Sequence, residues 1–187
     1  MGKWESYNLL IGHNEEVWKT IFNICFKSIR DNSIIWFQYR ILFGILPTRY
    51  LLKKFNLSES NTCVFCKEHE ETIFHMFCQC HKVVSIWRNI ESWICNKIGK
   101  NIKITDSMII FGSPEKSKDY WPINFIILAT KRYVYWCSKR NFTLNIYFLQ
   151  LEIKKLFDEQ RLLAKLNLKE SSFLKSWDPW IEIYNIT

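Results

Sequence analysis

Cys63-Val64-Phe65-Cys66-Lys67-Glu68-His69-Glu70-Glu71-Thr72-Ile73-Phe74-His75-Met76-Phe77-Cys78-Gln79-Cys80 is the stretch on which the reading of this chain turns. Its soft side chains are spaced C-x2-C-x8-H-x4-C. The first cysteine pair predicts a tight knuckle whose two thiolates converge on one point. Thr72 to Cys80 is a short amphipathic segment able to fold back over it. Four such ligands in one short window suit a closed tetrahedral Zn²⁺ site, in which the metal holds the fold and leaves no open position for water or substrate. On spacing alone the fourth ligand stays open. In a regular helix Cys78, at i+3, shares a face with His75 while Cys80 points away; a helix ending near Cys78 would instead turn Cys80 inward. His69 and His81 flank the cluster, with His69 a lesser alternative. Cys25, Cys95 and Cys137, each alone in an apolar segment, read as ordinary buried thiols.

Working outward, most of the chain carries helical periodicity, with few internal Gly or Pro to interrupt it. Upstream, Asn14-Glu15-Glu16 is a cap and acidic first turn for a helix to about Arg30, with Val17, Trp18, Ile21, Ile24, Cys25 and Ile29 on one stripe. A second helix starts near Ser33 and runs through Ile34, Phe37, Ile41 and Ile45 until Pro47 stops it, and a third covers Thr48 to Phe55. Downstream, Val83, Ile86, Trp87, Ile90, Trp93 and Ile94 mark a helix over 82–98 that Gly99 ends. Ile102-Lys103-Ile104 alternates like a strand, Met108 to Phe111 is a short apolar run, and 112–119 reads as loop. Long helices over about 122–139 and 144–167, joined by Asn141-Phe142-Thr143, predict an antiparallel hairpin on which Trp177 and Trp180 of the tail can dock. The expected fold is therefore mainly α: an N-terminal helical region (1–60), a zinc knuckle with its following helix (61–100), and a C-terminal helical region (101–187).

Composition narrows the function. The chain has 187 residues, 48% of them hydrophobic, so it can bury a real core. Seven cysteines without a secretory leader argue for a reducing, intracellular setting, nucleus or cytoplasm, rather than a disulfide framework. No apolar run reaches the roughly 20 residues of a membrane span, so no membrane partner is expected; the myristoylation-like Met1-Gly2-Lys3-Trp4-Glu5-Ser6 would anchor only marginally. A net charge of +8 favours polyanionic partners, RNA or DNA first among them. Cation–aromatic neighbours such as Trp87-Arg88, Arg132-Tyr133 and Tyr135-Trp136 before Lys139-Arg140 could stack on bases, although most of the aromatics should be core. There is no Asp-Asp polymerase motif, no Gly-rich phosphate loop and no H-E-x-x-H, so an enzyme is not expected from this chain alone.

One resemblance brings these features together. Ile41-Leu42-Phe43-Gly44-Ile45-Leu46-Pro47-Thr48-Arg49, Leu52, Cys63-x2-Cys66, Glu70-Glu71-Thr72, His75, Cys80 and Trp87 resemble the zinc-binding C-terminal region of non-LTR (LINE-type) retrotransposon reverse transcriptases. That pattern is an L-P-T-R-like helix start, a C-x2-C, an E-T before the His, an H-x4-C, and a Trp seven residues past the last Cys. Trp87 stands seven past Cys80, so the resemblance implies Cys63, Cys66, His75 and Cys80 as the ligand set; the family's usual Pro after that Cys is His81 here. It further implies a nucleic-acid-binding accessory module for RNA or single-stranded DNA. The polymerase would lie upstream in a full-length relative, and this chain would be a detached fragment, a truncated copy or a reused domain. Arg40, Arg49, Lys53, Lys54, Lys67, Lys82 and Arg88 are the expected phosphate contacts. The competing expectation is a structural, zinc-dependent protein-interaction module whose basic face is merely solvated.

Overall fold

The computed structural model describes residues 4, 9, 15–113, 120–178 and 180–184, without the side chains of Cys25, Tyr120 and Tyr184. The expected cap at Asn14, the myristoylation-like start and most of the 112–119 loop lie outside them. The described residues form nine α-helices and one π-helical turn: α1 (Glu15–Ser28), α2 (Asn32–Leu42), α3 (Arg49–Lys54), the π turn (His75–Gln79), α4 (His81–Ile98), α5 (Asp106–Phe111), α6 (Tyr120–Arg140), α7 (Ile146–Leu166), α8 (Glu170–Trp177) and α9 (Ile181–Tyr184). Among the described residues the only β pairing is an isolated antiparallel bridge between Thr62 and Glu70. The molecule is mainly α, with the knuckle set between α3 and α4.

The apolar stripes build one core. Trp18, Ile21 and Ile29 from the first segment, Ile34 and Ile41 of α2, Ile90 and Ile94 of α4, and Ile126, Ile153 and Leu156 of α6 and α7 are buried in a single cluster. It takes in residues from all three expected regions. α6 is its axis, packing against α1, α2, α5 and α7. Phe125 on α6 and Phe157 on α7 meet Trp177 edge-on, with ring centroids 5.1 and 5.3 Å apart, so the tail indole does dock on the α6–α7 pair.

Several local signals differ from the expectation for identifiable reasons. α2 is capped by Asp31, not started by Ser33, because the Asp31 carboxylate accepts the Ser33 and Ile34 amides. Val17 is 37% exposed, on the outer edge of the α1 stripe. Cys95 is exposed and not buried, whereas Cys137 is buried as expected. The 102–104 stretch makes no strand; the Ile104 amide donates instead to the Glu91 carboxylate of α4 (2.6 Å). Met108 to Phe111 belongs to α5, capped by Thr105. Gly99 ends α4 in the left-handed region (φ +67°), where a Cβ would meet no neighbour but the backbone itself is strained for other residues.

Candidate metal centre

The knuckle is a miniature hairpin. The Cys63 amide donates to the His69 carbonyl (2.8 Å) and the Glu71 amide to the Asn61 carbonyl (2.7 Å), while the Lys67 amide closes the turn onto the Cys63 carbonyl (3.1 Å). Lys67 takes a left-handed conformation (φ +64°) to make that turn. The amides of Cys66 and Phe65 point at the Cys63 sulfur. Thr72 then sets the return: its hydroxyl accepts the His75 amide (3.0 Å) at the start of the π turn.

The Cys80 amide donates to the His75 carbonyl (2.8 Å), five residues back. This wide turn, one residue longer than an α-helical one, puts His75 and Cys80 on the same side and leaves Cys80 extended as the cap of α4. The α4 amides of Lys82 and Val83 are aimed at the Cys80 sulfur. Trp87, buried one turn further along α4, donates its indole N–H to the Phe77 carbonyl (2.8 Å) and pins the π turn to that helix.

The ligand atoms of Cys63, Cys66, His75 and Cys80 all lie within 4.8 Å of one another, and all four residues are buried. The Cys63 and Cys80 sulfurs are 3.9 Å apart, and the Cys66 sulfur is 3.4 Å from His75 Nε2. A tetrahedral zinc with ordinary Zn–S and Zn–N bonds has S–S edges of about 3.8 Å and S–N edges of about 3.6 Å. The cluster thus has the size and donor chemistry of a closed Cys₃His site and could hold a zinc ion. The alternatives fall outside it. Cys78 points into the core, where burial raises its thiol well above the ordinary value, with Asp106 adding to the rise and Lys131 opposing it. His69 is exposed, its ring centroid 5.4 Å from that of His75, and exposed His81 faces Glu68 at 3.8 Å.

Local electrostatics act on the cluster's side chains in different directions. The Cys63 thiol donates to Cys80, which raises Cys63 and lowers Cys80; the Val83 and Lys82 amides lower Cys80 further against the effect of burial. Burial first, then the His69 and His81 rings, hold His75 below its usual value, favouring the neutral imidazole a metal takes.

In the sequence Glu71 stands out only as part of the Glu70-Glu71-Thr72 run. It is fully buried beside the cluster and accepts three hydrogen bonds: from the Arg49 amide at the start of α3 (3.0 Å), from the Val64 amide of the knuckle (3.2 Å), and from the Ser138 hydroxyl of α6 (3.3 Å). One carboxylate therefore joins the knuckle to two helices.

The seven expected phosphate-binding cations divide by position. Arg40, Lys53, Lys54, Lys67, Lys82 and Arg88 are exposed. Arg49 is half-buried and reaches Asn141 (3.3 Å). The Tyr135 hydroxyl and the Lys139 ammonium both donate to the Pro47 carbonyl, and the charges of Arg40 and Arg49 are felt at Tyr135 and Lys139 respectively, which makes the two arginines electrostatic neighbours of that segment. Lys139 thereby joins the group. Lys53 follows Arg49 by one turn on α3, and Lys54 lies over the Tyr50 ring, 4.7 Å from its centroid. Lys82 and Arg88, six residues apart on α4, occupy different faces of that helix.

No match was found among curated proteins or among solved structures. No described helix is long and apolar enough to cross a membrane. The family model described as zinc-binding in reverse transcriptase matches residues 4–87, a span that begins at the buried Trp4, runs through all four clustered ligands and ends on Trp87; these residues constitute a reverse-transcriptase-associated zinc-binding region.

Proposed function

We propose that the chain is a nucleic-acid-binding zinc module of the LINE-type reverse transcriptase kind, in which one structural Zn²⁺ held by Cys63, Cys66, His75 and Cys80 shapes a basic surface for RNA or single-stranded DNA. The observation that carries the metal half is the convergence of four buried donors, all within 4.8 Å of one another. The nucleic-acid half is supported by Arg40, Arg49 and Lys139 grouped around Pro47, with Lys53 and Lys54 exposed on the adjoining α3. Such a module works beside a polymerase region supplied elsewhere and performs no catalysis itself. A thiolate site of this kind belongs in a reducing compartment, nucleus or cytoplasm.

The test is binding of zinc-loaded protein to single-stranded RNA and DNA at two salt concentrations. Replacing Arg49, Lys53 and Lys54 with Ala should flatten the log–log salt dependence by about 0.7 per lost phosphate contact. Absence of binding at low salt would refute the reading. In that event a protein-interaction module takes its place, a role favoured by the exposed aromatic run of Trp36 and Tyr39 on α2 and Phe43 at its C-cap, whose neighbouring ring centroids are 5.4 and 4.3 Å apart.

A further inference from the structure

A cleft of about 590 Å³ opens where the end of α1, the start of α6, the second half of α7 and α8 meet. Four cations line it, Lys27, Arg30, Lys169 and Lys175, and no carboxylate does among the described residues. All four are exposed, and none of them enters an ion pair among the described residues. Two aromatic rings stand at its rim: Phe26, 62% exposed, and Trp121, 38% exposed. The floor is fixed. Gln160 of α7 is buried and accepts the Arg30 amide (2.8 Å), which ties the end of α1 to α7, and Trp177 is packed against Phe125 and Phe157 beneath.

This cleft is separate from the knuckle. Ser138, which bonds Glu71, and Trp121, which lines the cleft, lie on the same helix seventeen residues apart, or about 26 Å at 1.5 Å per residue. Another cleft, beside Trp136 and Phe148, has Glu152 in its wall, and its Arg132 is already paired with Asp31 (3.3 Å).

We infer that the α1–α6–α7–α8 cleft is a second nucleic-acid site, in which Lys27, Arg30, Lys169 and Lys175 hold phosphates of a single strand and Phe26 and Trp121 stack its unpaired bases. Four exposed cations with no carboxylate among the described lining residues favour an anionic ligand. Exposed rings at the rim of a concave cleft select one that carries flat bases, which a membrane surface does not. With the knuckle at the other end of α6, a single strand would be held at two points. The inference deepens the proposed nucleic-acid binding and rests on it.

The experiment measures affinity of the zinc-loaded full chain for oligothymidylate and oligouridylate of about 16 nucleotides, the upper end of a single-strand site, at 50 and 200 mM salt. The quadruple variant K27Q/R30Q/K169Q/K175Q should lose up to about 50-fold of the salt-driven change in affinity between those concentrations, four contacts' worth for a single strand. A charge-matched control, K19Q/K97Q/K103Q/K165Q, should lose far less. F26A should weaken binding by about 5-fold or more without altering the salt slope, as loss of one stacked base does. The two oligomers separate DNA from RNA. If the chain binds neither oligomer at low salt, the proposed function and this inference fall together. If it binds but the quadruple variant matches its control, or loses only binding to phosphatidylserine vesicles, the cleft is not a nucleic-acid site and the proposed function stands without it.

Discussion

Replacing Glu71 with alanine removes an acceptor shared by the knuckle, α3 and α6. Its carboxylate takes the Arg49 and Val64 amides and the Ser138 hydroxyl, and the side chain is completely buried. Truncation removes the acceptor of two backbone N–H groups and one hydroxyl and leaves a small void among them. A buried donor left unsatisfied costs about 1–3 kcal/mol. The Ser138 hydroxyl can rotate to another acceptor, so about 3–5 kcal/mol is expected for the two amides and the void together. That is a large share of the 5–15 kcal/mol typical of a whole domain. Glu71→Gln keeps one carbonyl oxygen but turns an amide NH₂ toward a donor, and should cost about half as much. Urea unfolding of zinc-loaded protein, followed by tryptophan fluorescence, measures both. Because the Val64 amide orients the C-x2-C turn, Glu71→Ala should also weaken zinc affinity in competition with a chelator. A loss below about 1 kcal/mol with unchanged zinc affinity would refute the view that this carboxylate organises the site.

Two other perturbations report on the supporting structure. At Asp31 burial pushes the carboxyl up, but the Ser33 hydroxyl and amide, Arg132 and the Ile34 amide outweigh it and leave the pKa below its ordinary 3.8. Its stabilising effect is therefore complete above that value and fades as pH falls through the lower folded value. Asp31→Ala should cost about 1 kcal/mol at neutral pH through the lost cap of α2, and the gap to the parent protein, read from paired denaturant titrations, should narrow below pH 4. A gap that widens in acid would contradict the assignment. Trp87→Phe retains most of the apolar burial but leaves the Phe77 carbonyl without its indole donor, so a loss of about 1–2 kcal/mol in zinc-loaded protein is expected, and none at all would rule out the pinning role.

The helices were legible because their apolar stripes are long and unbroken, as in α4 with Val83, Ile86, Trp87, Ile90, Trp93 and Ile94 all buried. The site was legible as a neighbourhood because C-x2-C spacing alone brings two thiols together. The choice between Cys78 and Cys80 was not, since regular helix geometry points to Cys78 and only a five-residue turn reverses it; it was the position of Trp87 in the resemblance that indicated Cys80. Glu71 and Lys139 were visible in the sequence, one in the Glu70-Glu71-Thr72 run and the other beside Tyr135-Trp136, but their structural roles were illegible for a different reason. What matters about them is contact with Ser138 and Pro47, partners 67 and 92 residues away in sequence, and no local periodicity encodes such distances. Similarly, the cleft cations come from two segments, 27–30 and 169–175, far apart in sequence and with no common motif.

Zinc content decides whether Cys63, Cys66, His75 and Cys80 form a metal site. Elemental analysis of the purified chain and of its single variants should find one zinc per chain in the parent protein and in Cys78→Ala, and loss of the metal in Cys63→Ser, Cys66→Ser, His75→Ala and Cys80→Ser. Absence of zinc from the parent protein, or zinc retained by Cys80→Ser and lost by Cys78→Ala, would contradict the account.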